Sequence, residues 1–294
     1  MGIRRVLSMM LAVGLVVSGA GSAQAGERQL LYYNHSWGTL DRATADAVEH
    51  SRYLRQFADF EVRTTTGADG KVWTGRYLRG RETYLEVFGI GDVPGQDGEL
   101  GSAGLGLSTE HDGDIEKLKA RLVAAGEKPT DFLQTRDFGD GKPVPWFDGL
   151  FLSEKYDRFG AWAMEYRDEY LSDPRSNVGP AKFPGDVTRE RYLPDAYKDR
   201  VMRDITLIRL AVTASDLAAT VPLLRAGGFS LRTGPGSVVA SRGGTTIRFD
   251  EAPMGQTGLQ RVEFDLNRPT ARHVEKLGTS TLVVGPGKRA VWTF

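Results

Sequence analysis

A fragmentary internal repeat constrains the fold of this chain more than any other feature of its sequence. Residues 104–110 are β-prone and glycine-rich, and an amphipathic run over 114–122 follows them and stops at a glycine. The same order returns with a β-prone run over 205–212 and a helical run over 214–225, again followed by glycine. Each copy predicts a strand, a short cap, a helix and a glycine that ends the helix. Repeated supersecondary units constrain the architecture before any single residue does.

The N-terminus has the pattern of a secretory signal peptide. Two arginines give a positively charged start, residues 7–17 form an apolar run, and Ala23-Gln24-Ala25 is a small-x-small cleavage site. The alternative is an uncleaved anchor, but the apolar run is shorter than a membrane-spanning helix, and no second stretch is long enough to cross a bilayer. We therefore expect residues 1–25 to be removed. The product would be a secreted, extracellular protein with no membrane partner.

Composition excludes several classes of site. The chain has 0 cysteines, which excludes disulfides, thiolate metal sites and cysteine nucleophiles. Its formal net charge is +0 and it has no basic block, so nucleic acid and anionic membrane surfaces are poor partners. No glycine-rich stretch has the context of a nucleotide-binding loop, and each is interpreted as a turn. No serine-hydrolase motif is present.

The pattern of strands and helices divides the chain into four units. The first has a strand over 30–40, a helix over 43–57 and three further strands ending at 83–88. The second has its helix over 114–125 and its last strand over 160–166. We predict that residues 26–172 form one domain of two βαβββ units and that 173–203 are a connecting segment. Residues 204–294 would form a degenerate βαβββ pair packed on the first domain, with a short helix over 269–277 in its last unit.

Strand, helix and three strands, repeated in pairs, resemble the vicinal oxygen chelate superfamily, and above all its glyoxalase-like domains. The chain also resembles a secreted actinobacterial family related to those domains. The residues that carry the resemblance are Tyr33-Asn34-His35, the run 83–88, the run 104–107 with its helix, and the run 162–166. The resemblance implies an α+β fold in which repeated βαβββ units pair into open cups. It covers residues 30–170 well and 204–250 more loosely.

The resemblance also implies a metal site. In metal-using members of the superfamily, a first-strand His and a last-strand Glu from each unit meet on one divalent ion. Carried over to this sequence, His35 and Glu86 would be metal ligands, and Glu165 would be a third ligand or a catalytic base. Residues 103–105, where the second unit would place its first-strand ligand, have no side chain that binds metal. The implied cofactor is a divalent Fe, Mn, Zn or Ni ion with at most three protein ligands.

The alternation of side chains along each strand points to the same residues independently of the resemblance. It places Tyr33, His35 and Trp37 on one face of their strand, and Tyr84 and Glu86 on one face of theirs. A carboxylate among aromatic residues needs a cation, a metal or a hydrogen-bond donor, because ionised carboxylates are seldom buried alone.

Purely structural roles for these residues remain open at this point. Glu86 would pair with Arg76 or Arg81, His35 would donate to a backbone carbonyl, and Glu165 would be exposed at a sheet edge.

Aromatic residues are candidates for a small-molecule site. The predicted ligand-binding set is Tyr33, Trp37, Tyr84 and Trp162, although large aromatic side chains more often belong to a core. Three functions follow from the sequence. The first is a metal-dependent lyase, isomerase or dioxygenase acting on a small oxygenated molecule. The second is a binding protein that sequesters a small molecule in the same cup. The third is a structural or interaction module. The substrate and the oligomeric state stay open.

Overall fold

The structure is a computed structural model that describes residues 28–67 and 70–294. The predicted signal peptide lies outside these residues. The first half contains β1 (Tyr32–Leu40), α1 (Arg42–His50), α2 (Leu54–Phe57), β2 (Asp59–Thr66), β3 (Val72–Arg79), β4 (Tyr84–Gly89), β5 (Ala103–Ser108), α3 (Asp114–Ala124), β6 (Thr130–Arg136), β7 (Val144–Phe151) and β8 (Phe159–Tyr166). Two short helices follow, α4 (Asp168–Leu171) and α5 (Arg189–Tyr192).

The second half repeats this order of strands with fewer helices. It contains β9 (Met202–Val212), α6 (Ala214–Ala226), β10 (Ser230–Gly234), β11 (Ser237–Ser241), β12 (Thr246–Glu251), β13 (Gly258–Thr270), β14 (His273–Leu277), β15 (Ser280–Val284) and β16 (Gly287–Thr293). No helix in the described part of the chain has the length and apolarity needed to cross a membrane.

Two eight-stranded sheets have the same strand order, but β5 pairs with β8 in parallel whereas β13 pairs with β16 in antiparallel orientation. The first has the order β2-β3-β4-β1-β5-β8-β7-β6, and the second has the order β10-β11-β12-β9-β13-β16-β15-β14. In each unit the first strand pairs with the last, and the two units of a sheet meet through an antiparallel pair of first strands, β1 with β5 and β9 with β13. The predicted α+β fold of repeated units paired into glyoxalase-like cups is confirmed.

The helix predicted over residues 269–277 is wrong. This segment completes β13 and forms β14, which pairs with β15 in a hairpin. The turn of the hairpin has Gly278 at φ 58°, a backbone conformation that glycine adopts without strain. Because this tight turn joins two paired strands, the residues before it belong to the sheet. The fourth unit therefore consists of strands only.

The core lies between the two sheets. One continuous cluster of buried apolar residues draws on both sheets and on α1, α3 and α6. Across the junction the ring of Phe57 lies 5.4 Å from that of Phe264, and the ring of Phe159 lies 5.6 Å from that of Phe249. The sheets therefore pack with the helices between them, and their other faces point away from this shared core.

Two aspartates, the buried Asp216 and the partly buried Asp204, connect the two halves. Asp216, in the first turn of α6, accepts hydrogen bonds from the backbone N–H groups of Asp157, Arg158 and Phe159 at 2.8–2.9 Å. Asp204 of β9 accepts in the same way from the backbone N–H groups of Glu82 and Thr83. Each carboxylate gives partners to buried donors that would otherwise have none.

We expect Asp216→Ala to lower the free energy of unfolding by about 3 kcal/mol, because three backbone donors lose their acceptor. Denaturant titration followed by circular dichroism measures this change. The control is Asp195→Ala, which removes an exposed carboxylate paired with Lys198 and should change stability by less than about 0.5 kcal/mol. Equal effects of the two substitutions would contradict a connecting role for Asp216.

Candidate functional site

A cavity of about 690 Å³ opens on the face of the first sheet that points away from the shared core. Its lining is mainly aromatic, with a small number of polar side chains among the rings. The aromatic residues are Trp37, Trp73, Tyr77, Tyr84, Phe88, Phe132, Trp146, Phe147, Phe151, Tyr156, Trp162 and Tyr166. The polar set includes His35, Arg63, Glu86, Asp97 and Gln134.

A β-bulge in β1 aims His35 into this cavity. Tyr33 pairs with Leu107 and His35 pairs with Gly106, so Asn34 is an extra residue on β1. The bulge reverses the alternation between Tyr33 and His35. The predicted ligand-binding residue Tyr33 therefore lies in the shared core and does not line the cavity. The other predicted residues, Trp37, Tyr84 and Trp162, do line it.

Two glycines of β5 make room for the rings of β1. A Cβ atom added at Gly106 would lie 2.4 Å from Cε1 of His35, and one added at Gly104 would lie 2.1 Å from Nε1 of Trp37. Both glycines lie within the strand that the repeat predicted here, so the separate interpretation of this glycine-rich stretch as a turn was wrong. Glycine inside a strand often marks such a close approach, and that signal was available in the sequence.

His35 is held neutral and in one orientation. Asn34 donates both amide hydrogens, to Ser108 Oγ and Tyr166 Oη at 3.0 Å each, which leaves its Oδ1 to accept from Nδ1 of His35 at 2.9 Å. Burial lowers the pKa of His35 to about 3. The ring stacks on Tyr84 at 4.3 Å and meets the edge of Trp162 at 5.3 Å. Its Nε2 is therefore an unprotonated hydrogen-bond acceptor.

Glu86 is the buried carboxyl of the cavity. Its side chain is on the lining of the cavity, and Oε1 has no hydrogen-bond partner among the described residues. Burial raises the pKa of Glu86 from 4.5 to about 7, against the opposing effects of Tyr77, Arg63 and Trp73. Neither cation considered from the sequence is its partner. Arg76 pairs with Glu49 and Asp92, whereas Arg81 pairs with Glu82 and Asp204.

The structure places Glu165 outside the cavity. Its carboxylate accepts hydrogen bonds from the backbone N–H groups of Gly113 and Ile115 at 2.8 and 2.9 Å, and from Thr109 Oγ1 at 2.9 Å. It thereby caps the N-terminus of α3, where the helix dipole favours negative charge. Burial raises the pKa of Glu165, and these three donors oppose the rise. The metal-binding and catalytic roles predicted for Glu165 are incompatible with this position.

The cavity does not have the ligands for a resident metal ion. Tyr84 pairs with His35, and in the second unit Trp162 pairs with Gly106. The positions equivalent to His35 and Glu86 are thus Gly106 and Met164, neither of which has a side chain suited to these ions. Within residues 28–67 and 70–294 no three His, Cys, Asp or Glu side chains are grouped to hold a metal. His35 and Glu86 are too few to form such a site.

The connecting segment packs against the aromatic lining of the cavity at Tyr166. Tyr192 of α5 stacks on Tyr166 at 4.2 Å, and Arg189 donates to the backbone carbonyl of Tyr33 at 2.5 Å. Arg189 also pairs with Glu110 at 2.6 Å. These contacts fix the segment against the aromatic lining. The sequence alone predicted a connection here but did not predict that it would pack against the aromatic lining.

Comparison with protein families identifies the chain. A model described as a family of unknown function (DUF5829) matches residues 33–294, and the chain belongs to that family. A comparison with curated proteins found no match.

Solved structures show which folds are similar. The chain is similar to a hypothetical protein from Staphylococcus aureus, with a TM-score of 0.52 and 9% identity over 84% of this chain and 96% of that chain. It is also similar to the Mn(II)-bound glyoxalase from Novosphingobium aromaticivorans (TM-score 0.41, 12% identity, 89% of this chain and 81% of that chain). A third similar structure is the 2,3-dioxygenase LapB from Pseudomonas sp. KL28, with a TM-score of 0.44 and 14% identity over 89% of this chain and 91% of that chain. At these identities the likeness is one of fold alone.

We expect Glu86→Gln to change how stability depends on pH. A carboxyl whose pKa is raised by folding binds its proton more tightly in the folded state, so its contribution is complete below about pH 4.5 and is lost as pH rises through about 7. Between these values the wild type should lose about 2–4 kcal/mol of unfolding free energy relative to the variant. Denaturant titrations at both pH values measure the difference. Glu116→Gln, at an exposed position, is the control, and parallel pH profiles for wild type and Glu86→Gln would contradict the expectation.

Glu165→Ala should destabilise the protein by about 2 kcal/mol, because the N-terminus of α3 loses its acceptor. Ligand binding in the cavity should not change. Thermal unfolding and ligand titration together test this pair of outcomes. Glu169→Ala, at a half-exposed carboxylate beside Arg167, serves as the matched control. Loss of binding without loss of stability would instead place Glu165 at the site.

Proposed function

We propose that this member of the DUF5829 family binds a small planar organic molecule in the cavity of the first sheet without a metal ion. The observation that carries the proposal is the aromatic lining around two acceptors, Nε2 of His35 and Oε1 of Glu86. Neither atom has a hydrogen-bond partner among the described residues. The predicted signal peptide supports an extracellular setting for this binding.

The size and lining of the cavity support this proposal. A volume of about 690 Å³ is in the range typical of sites for small molecules, which are mainly apolar with a few placed polar groups. Trp37 meets Phe88 edge-on at 5.7 Å, and Tyr84 stacks on His35 at 4.3 Å. Rings fixed by one another lose little conformational entropy when a ligand binds. A planar ligand can stack on such walls.

The polar groups define the complementary chemistry of the ligand. Neutral His35 presents an acceptor, and Glu86 presents acceptors when it is ionised. A ligand with N–H or O–H donors on its planar part would satisfy both groups. Binding would favour ionised Glu86, because a hydrogen bond to the charged form stabilises that form. Affinity should therefore rise with pH through about 7.

A second candidate function is proton transfer to the bound molecule. A buried carboxyl with a pKa of about 7 is suited to act as a general base near neutral pH. Glu86 would accept a proton from one atom of the ligand and return it to another, which is an isomerisation that needs no metal. Exchange of a ligand proton in deuterated water, followed by NMR, tests this candidate. Binding without exchange would leave the sequestering function only.

Trp162→Ala should weaken binding of a cavity ligand by at least about tenfold, since it removes a central aromatic wall. Binding is measured as the shift in unfolding temperature that planar heterocycles with different donor groups cause in the presence of a chelator. The control is Val274→Ala, at an exposed position on β14. Ligand shifts that disappear with the chelator and return with Mn(II), Fe(II), Ni(II) or Zn(II) would refute metal-free binding.

A further inference from the structure

A second cavity adjoins the first. It has a volume of about 350 Å³ and shares Arg63, Tyr77 and Tyr84 with the main cavity. Its remaining walls come from β2, β3, the end of β6 and the connecting segment. The whole lining includes four arginines and two carboxylates: Arg63, Arg79, Arg136 and Arg175 with Asp59 and Glu61. A molecule in the main cavity can therefore extend towards a strongly polar compartment.

Two of the four arginines are neutralised by carboxylates. Arg79 donates to Asp59 at 2.8 Å and to Glu61 at 2.7 Å. Arg175 pairs with two other aspartates of the loops, each at 2.6 Å. These pairs account for both acidic residues of this lining. Arg63 shares Glu61 with Arg79 and interacts electrostatically with Glu86 of the main cavity, whereas Arg136 has no carboxylate partner among the described residues.

Arg63 has more donors than partners. Its one carboxylate contact, to Glu61, is long at 3.4 Å, and Glu61 is already bonded by Arg79. Its Nε is buried without a hydrogen-bond partner among the described residues. The guanidinium lies over the ring of Tyr77 at 4.4 Å, which fixes its plane. A guanidinium has five N–H donors, and buried donors without acceptors are costly.

Arg136 is similarly held without a carboxylate. It donates to Tyr170 Oη at 3.0 Å and lies over the rings of Phe138, Trp146 and Tyr170 at 5.1–5.9 Å. No salt bridge to Arg136 occurs in the described part of the chain. Rings and a hydroxyl orient this cation but do not cancel its charge. Arg63 and Arg136 are thus two pre-oriented guanidinium groups on one cavity.

We propose that the second cavity binds the anionic group of the same ligand, a carboxylate, sulfonate or phosphate held by Arg63 and Arg136. This inference rests on the proposed function, because the planar part of the ligand lies in the main cavity. Guanidinium groups recognise such oxyanions through paired N–H···O bonds, and fixed guanidiniums lose little freedom when they bind. The ligand is therefore a planar aromatic acid.

Two fluorescent probes that differ by one anionic group test this inference. The probes are 8-anilino-1-naphthalenesulfonate and N-phenyl-1-naphthylamine, which share their rings but not the sulfonate. We expect the sulfonate to bind the wild type at least about tenfold more tightly. Arg63→Gln and Arg136→Gln should each weaken the sulfonate by about tenfold, and each should weaken the uncharged probe by a much smaller factor. Arg232→Gln, an exposed cation on β10 of the second sheet, should change neither affinity.

The outcomes separate the two proposals. If Trp162→Ala weakens both probes but the two arginine variants affect them equally, the main cavity binds ligands and the anion site is overturned. Equal affinity of the wild type for the two probes would overturn it as well. If Trp162→Ala affects neither probe, the probes bind elsewhere, and both the proposed function and the anion site are overturned. Selective weakening of the sulfonate by both arginine variants supports the inference.

Discussion

The antiparallel pairing of β1 with β5 is the contact on which the cavity depends. It joins the two units of the first sheet, and Gly104 and Gly106 leave the space in which two rings of β1 lie. The bulge at Asn34 in the same pair turns His35 towards the cavity. One strand pair thus determines how the sheet is joined, how wide the cavity is and where its histidine points. A side chain at Gly104 would collide with Trp37, and one at Gly106 would collide with His35.

The polar groups of the cavity are kept at a cost in stability. His35 and Glu86 are buried among rings, and burial moves both pKa values towards the neutral forms. Buried ionisable groups reduce the free energy of unfolding, so other interactions in the fold must offset their cost. This stabilisation comes from the core shared by the two sheets and from buried carboxylates such as Asp216. The unmet acceptors then become the part of the surface that a ligand can satisfy.

The second sheet shows that strand order alone does not produce such a cavity. It repeats the strand order of the first sheet, yet the face that points away from the core has ion pairs such as Arg209 with Asp250 and Arg261 with Glu263. The first sheet has aromatic residues on the corresponding face. Side chains, rather than the order of strands, therefore decide which sheet can hold a small molecule.

Local periodicity in the sequence predicted the repeated units, and the resemblance to glyoxalase-like domains implied the α+β cups and a site that contains His35 and Glu86. Only the tertiary structure decided where that periodicity breaks or shifts. The bulge moved Tyr33 into the core, and alternation from Trp162 puts Glu165 on the helix side, one residue out of the frame inferred from the first unit. Arg136, at the end of β6, lines the second cavity although it lies far from Arg63 in the sequence. Such outcomes depend on pairing between remote segments, which a local pattern does not encode.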